Sequence, residues 1–151
     1  ISAYFAGMGT TLVAAFLLHA CAVIANVGDS RAYLMDGQGI RFVTVDHSLV
    51  ELMVRRGELT REQAKNYPGK NVITRAVGTD AAVACDIYRM ALKPGPALVL
   101  CSDGLSTLMA AQEILFEVVH GGQKEQCCQR LLEIAKNRGA PDNVTVIVAT
   151  V

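Results

Sequence analysis

Apolar residues follow two rhythms along this chain, and the rhythms divide it into elements. Four runs, 10–18, 21–27, 97–101 and 144–151, are apolar at nearly every position and rich in β-branched residues. They read as strands covered on both faces. Residues 32–35 and 40–45 flank Asp36-Gly37, with Gly39 close behind, which predicts a hairpin. A further strand is expected at 84–90, ended by Lys93-Pro94-Gly95.

Helical spacing fills the intervals. Ser48 and Glu51 have capping-box spacing, and Leu49, Leu52 and Met53 repeat at helical intervals until Gly57. Thr60 and Gln63 repeat the device, opening a short helix that ends before Pro68-Gly69. Residues 110–120 predict a third helix, closed by Gly121-Gly122. A fourth is predicted over 124–138, with Cys128, Leu131, Leu132 and Ala135 on one stripe and Gly139 as its stop. Strands and helices are segregated and no internal repeat is visible, so the pattern predicts an α+β fold of packed sheets covered by helices.

Composition sharpens this picture. Hydrophobic residues make up 52% of the 151 and charged residues 19%, too apolar for a disordered chain and somewhat greasy for a free-standing domain. The expectation is that part of the apolar surface is meant to lie under chain that this sequence does not include. The first residue is Ile, not Met, and residues 1–9 hold no charged n-region, so the sequence is expected to be a fragment or a processed chain. Net charge is zero and Trp is absent, which argues against nucleic acid as a partner. No apolar run approaches the roughly 20 residues of a membrane-spanning helix, so no membrane partner is expected. The five cysteines are odd in number and form no C-x-x-C pair, which predicts mostly buried, reduced thiols and a cytoplasmic protein.

Candidate chemistry lies in three aspartates at strand ends. Asp29 follows the 21–27 run in Gly28-Asp29-Ser30, Asp103 ends the 97–101 run and precedes Gly104, and Asp142 sits in Pro141-Asp142-Asn143 before the last strand. A carboxylate at the mouth of a buried strand is held by rigid scaffold yet reachable from solvent. Hard cations such as Mg²⁺ or Mn²⁺ need oxygen ligands so placed. Each aspartate alone also reads as an ordinary turn residue. His19, His47 and His120 have no ligand spacing and read as packing or surface residues.

The motifs Met8-Gly9-Thr10-Thr11-Leu12, Val27-Gly28-Asp29-Ser30-Arg31-Ala32-Tyr33, Asp46-His47-Ser48, Ile73-Thr74-Arg75-Ala76-Val77-Gly78, Leu100-Cys101-Ser102-Asp103-Gly104-Leu105-Ser106 and Gly139-Ala140-Pro141-Asp142-Asn143-Val144-Thr145 follow in order over nearly the whole chain. Together they closely resemble the protein phosphatase 2C (PPM) family, nearest its bacterial single-domain members. The resemblance implies a four-layer αββα sandwich of mainly antiparallel sheets, incomplete here because the N-terminal strands are absent. Residues 1–151 would then be the C-terminal part of one catalytic domain, with a flap at about 46–75. It implies a serine/threonine phosphatase, hydrolysing phosphoserine and phosphothreonine in proteins through water activated at a binuclear Mn²⁺ or Mg²⁺ centre. By motif, Asp103 and Asp142 match ligands of the catalytic pair, and Asp29 matches a ligand of a third, weaker position. Arg55, Arg56, Glu58, Arg61 and Glu62 of the flap read as a solvated surface.

Two departures matter. The family's N-terminal region, with a phosphate-gripping arginine and an Asp-Gly pair that bridges the metals, has no counterpart here. Thr107 also stands where the family usually has another aspartate. This chain alone is therefore expected to bind metal weakly and to be inactive. It is expected to self-associate through exposed sheet edges. The alternative reading, a non-catalytic pseudophosphatase module that binds phosphoproteins or a partner subunit, stays open.

Overall fold

A computed structural model describes residues 7–150. Strands β1 (Leu12–Leu18) and β2 (Cys21–Val27) form an antiparallel hairpin that runs from Leu12 opposite Val27 to Leu18 opposite Cys21. Strand β5 (Asp86–Ala91) pairs with the other edge of β2, giving a three-stranded sheet. The second sheet has the order β4 (Gly39–Phe42), β3 (Arg31–Asp36), β6 (Ala97–Cys101), β7 (Val146–Thr150), again antiparallel throughout.

Two cores hold these layers together. Ala22 and Ile24 of the first sheet meet Ala32, Leu98 and Leu100 of the second, with Val43 and Leu92 at the margins. The opposite face of the second sheet presents Tyr33, Met35, Val99 and Cys101 to helices α4 (Ala111–His120) and α5 (Cys127–Asn137), whose Ile114, Val118, Leu131 and Ala135 close that core. Burying each large side chain there contributes about 1.5–3 kcal/mol. Strand β6 belongs to both cores and is buried along its whole length. The fold is thus α+β with two facing antiparallel sheets, as the sequence predicts.

Strand β1 departs from expectation. Its run is apolar throughout, yet Phe16 is 67% exposed and Leu18 58%. The pleat turns Leu12, Phe16 and Leu18 away from the second sheet, on the same face as Ile87 of β5. No helix covers that face among the described residues. The thiols also divide: Cys101 and Cys127 are buried, whereas Cys85 is exposed, against the expectation for that position.

Smaller differences concern element ends. Strand β1 starts at Leu12, and Thr10 is reduced to a bridge with Val77. Strand β7 starts at Val146, not 144, and Val151 lies outside the described residues. The helix expected from 124 opens with a 3-10 turn, Lys124–Gln126, before α5.

The segment 46–75 carries α1 (Leu49–Arg55) and α2 (Arg61–Lys65), and its two ends are tied together. Leu49 N–H donates to Val72 O at 2.8 Å, and Thr74 N–H to His47 O at 2.8 Å. Thr60 and Gln63 form the full capping box on α2. On α1 only half of the device exists: Ser48 Oγ accepts from Glu51 N–H, but the Glu51 side chain turns inward to Arg55 and Arg61. Two guanidiniums satisfy that carboxylate better than one cap amide would.

Candidate metal-binding rim

Register brings the candidate aspartates to one end of the sandwich. Arg31 of β3 lies opposite Cys101 of β6, so Asp29 and Asp103, each two residues beyond that pair, face one another across neighbouring strand ends. Asp29 sits on the turn by which the chain passes from β2 in one sheet to β3 in the other. Asp103 opens the short helix α3 (Asp103–Ser106).

Asp142 arrives from the other side of β6. Cys101 lies opposite Val146 of β7, and pairing continues past both strands: Ser102 N–H donates to Thr145 O at 3.0 Å, and Ser102 Oγ donates to Asn143 O at 3.2 Å. The loop before β7 therefore packs directly on the Asp103 turn. Asp142 is exposed and accepts a hydrogen bond from Asn143 N–H at 2.7 Å.

Two glycines permit this crowding. Gly28 has φ +103, and a Cβ there would collide with Thr11. At Gly104 a Cβ would strike the Asn143 carbonyl oxygen. The second contact keeps the Asp103 and Asp142 loops together.

Electrostatics at the rim favour a cation. The Asp29 carboxyl is pushed up to about 6, first by burial, then by the neighbouring charge of Asp103 and that of Asp46. Asp46 itself is taken by Arg31, whose Nε and Nη2 reach it at 2.9 and 2.6 Å. Among the described residues, none of Asp29, Asp103 and Asp142 is in an ion pair. The donor set therefore fits a hard divalent ion in kind: carboxylates, of which Asp29 and Asp103 repel one another, with the nearest base, Arg31, bonded to Asp46.

In number it falls short. No group of three or more His, Cys, Asp or Glu side chains converges as a metal site among the described residues. The Thr107 hydroxyl turns back on its own helix and donates to the Asp103 backbone oxygen at 2.8 Å, and as a neutral group it adds no anionic ligand. Among the described residues, the rim offers a partial set of carboxylate donors.

The charged network behind the rim is only partly legible in the sequence. Asp46 and Asp86 lie outside the three aspartates that the strand-end argument selects. Asp86 accepts from Arg75 Nη1 at 2.7 Å and stands 3.1 Å from His47 Nε2. The His47 hydrogen bond, then that of Arg75, holds the Asp86 carboxyl below the usual carboxylate range. Arginine two residues after Asp29, with aspartate across the following hairpin, is the one local signal that hints at the Arg31–Asp46 pair.

Comparison with known proteins gives a consistent result. The family described as Protein phosphatase 2C matches residues 6–61. The serine/threonine phosphatase stp of Listeria monocytogenes is 39% identical over 142 residues, 94% of this chain and 56% of the relative. Protein phosphatase PhpP of Streptococcus pneumoniae is 35% identical over 146 residues, covering 97% of this chain and 59% of PhpP. Among solved structures, serine/threonine phosphatase Stp1 from Staphylococcus aureus superposes with a TM-score of 0.93 at 39% identity, over 99% of this chain and 59% of Stp1. The catalytic domain of the phosphatase PstP, solved in complex with two manganese ions, superposes with a TM-score of 0.84 at 34% identity, over 95% of this chain and 59% of that one. The chain thus spans somewhat more than half the length of the proteins it matches.

Proposed function

Since the chain belongs to the protein phosphatase 2C family, we propose that it is part of a domain that hydrolyses phosphoserine and phosphothreonine esters in proteins. One observation carries the proposal. Burial, and after it the neighbouring charge of Asp103, raises the Asp29 carboxyl at the end of the sandwich where the loop of Asp142 also packs. Such uncompensated repulsion is what a divalent cation relieves.

In this reading Asp103, Asp142 and Asp29 would hold Mn²⁺ or Mg²⁺. When bound, such ions supply a Lewis acid for the phosphoryl oxygens and an activated water. The chain's own residues hold the rim in place. Ser102 bonds the two loops together, and Arg31 occupies Asp46 so that it does not compete with Asp29. The segment 46–75 stands beside the rim as a flap, with Glu51 binding its two helices through Arg55 and Arg61. Arg56 is paired with Glu58 at 3.9 Å, so the exposed Lys70 is the cation of this segment best placed to meet a phosphorylated protein. The odd number of thiols and the absence of a C-x-x-C pair favour a reducing compartment such as the cytoplasm.

With no converged set of three ligands among the described residues, this chain by itself binds metal weakly and turns over little substrate. A second reading, a non-catalytic module that binds phosphoproteins, takes its support from the same shortfall and from Thr107. Mn²⁺-dependent phosphate release from a phosphothreonine peptide separates the two. Fusion to the segment of the Listeria phosphatase that this chain does not match should create activity that D103N abolishes. A folded fusion that binds Mn²⁺ but releases no phosphate favours the binding module.

The bare face of the first sheet is proposed to associate with a second copy. Leu12, Phe16, Leu18 and Ile87 form one apolar patch beside the edge strand β1, a combination that invites strand or face pairing.

A further inference from the structure

His47 reads from sequence as a packing or surface residue, yet its contacts exceed what packing needs. Its side chain is 6% exposed, and it clasps Gly28 from two directions. The His47 N–H donates to Gly28 O at 2.9 Å, and the Gly28 N–H donates to His47 Nδ1 at 3.0 Å. A backbone N–H can only donate, so Nδ1 must present a lone pair. The neutral ring then carries its proton on Nε2, where Asp86 Oδ2 lies 3.1 Å away to receive it. Arg75 Nη1 lies 3.2 Å from the same nitrogen and donates to the other oxygen of Asp86. The carboxylate thus selects the tautomer, and the tautomer selects the Gly28 contact.

The position of this clasp is what gives it a consequence. Gly28 precedes Asp29, adopts φ +103, and has no room for a side chain that would fix the turn from within. The His47 carbonyl oxygen meanwhile accepts from Thr74 N–H at 2.8 Å, closing the base of the 46–75 segment. One residue therefore joins the Asp29 turn, both ends of the flap and β5.

We infer that His47 is a positioning residue: as a neutral Nε2–H imidazole held by Asp86, it fixes the Gly28–Asp29 turn at the metal-binding rim and ties that turn to the base of the flap. The inference rests on the metal-rim reading only for its consequence, and the clasp itself is testable without metal.

Nitrogen NMR of the unaltered, metal-free chain should show His47 as the Nε2–H tautomer, with Nδ1 bare. A proton on Nδ1 overturns the proposal, and this measurement needs no variant to fold. Two substitutions then separate positioning from packing. In H47N the side-chain oxygen reaches about where Nδ1 lies and can still accept from Gly28. In H47Q the amide reaches toward Asp86 and leaves Gly28 N–H without an acceptor. Losing a buried acceptor corresponds to a factor of about ten or more in local opening, so the Gly28 amide should exchange roughly ten-fold faster in H47Q than in H47N. The Mn²⁺ concentration that broadens the Asp29 amide should rise by a similar factor in H47Q alone. Equal exchange at Gly28 in the two variants overturns the clasp. If exchange differs and Mn²⁺ never reaches Asp29, the metal reading fails and the clasp stands.

Discussion

Asp29 and Asp103 lie across the paired ends of β3 and β6, where burial first, and then the charge of Asp103, lifts the Asp29 carboxyl to about 6. The folded chain therefore holds a proton on Asp29 more tightly than the unfolded chain does. Stability from this group is present below the unfolded value of 3.8 and is lost as pH rises through about 6. After discounting for partial solvent screening, the cost at neutral pH is about 1 kcal/mol. D29N should accordingly stabilise the metal-free chain by about that amount at pH 7 and by little at pH 4, as read from urea unfolding. Excess Mn²⁺ should stabilise the unaltered chain more than it stabilises D29N.

Gly104 is the spacer that lets two loops share the rim. Its missing Cβ leaves room for the Asn143 carbonyl oxygen. G104A should cost about 1–3 kcal/mol through overpacking. It should also shift the Asp103 and Asp142 amide resonances together, as a proton–nitrogen correlation spectrum would register. A shift confined to Asp103 would mean that the two loops are not mechanically joined.

Much of the fold was legible because turn residues punctuate apolar runs. The spans 21–27 and 97–101 match β2 and β6 to the residue, bounded by Ala20 and Gly28, and by Pro96 and Ser102. The exposure of β1 was not legible, since an apolar run has the same text whether or not anything covers it. Glu51 has capping-box spacing, yet Arg61, ten residues on, claims it, and no local rule weighs that competition. All three aspartates were legible as candidates through strand ends and motif order. The pair that the motifs imply is Asp103 with Asp142, whereas the approach of Asp29 to Asp103 follows from strand register. The role of His47 was not: its partner Gly28 is 19 residues away, and their meeting depends on how the chain crosses between sheets.

The exposed patch of the first sheet predicts concentration-dependent association. Sedimentation should show dimers or larger species of the unaltered chain. F16D, which places a charge at the centre of the patch, should shift the distribution toward monomer without loss of secondary structure. A chain that stays monomeric at high concentration contradicts the proposal.

Glu113 and Arg138 fasten the start of α4 to the end of α5. Arg138 Nη2 reaches Glu113 Oε1 at 2.6 Å, and its Nη1 also donates to Leu108 O at 2.7 Å. The Arg138 hydrogen bond, then that of the Ala110 amide, lowers the Glu113 carboxyl to about 2. Its contribution is present above the unfolded value of 4.5 and is lost as pH falls through about 2. E113Q should lower Tm at pH 7 and converge with the unaltered chain near pH 2. A Tm difference that persists unchanged in acid would assign the effect to packing.

The central claim is that Asp29, Asp103 and Asp142 form one cation-binding rim. Its most direct test is Mn²⁺ titration of the isotopically labelled chain, following paramagnetic broadening residue by residue. Binding should be weak, with broadening first and strongest at the amides around 28–30, 102–104 and 141–143, and D103N should lose it there. Broadening centred elsewhere, or unchanged by D103N, would contradict it.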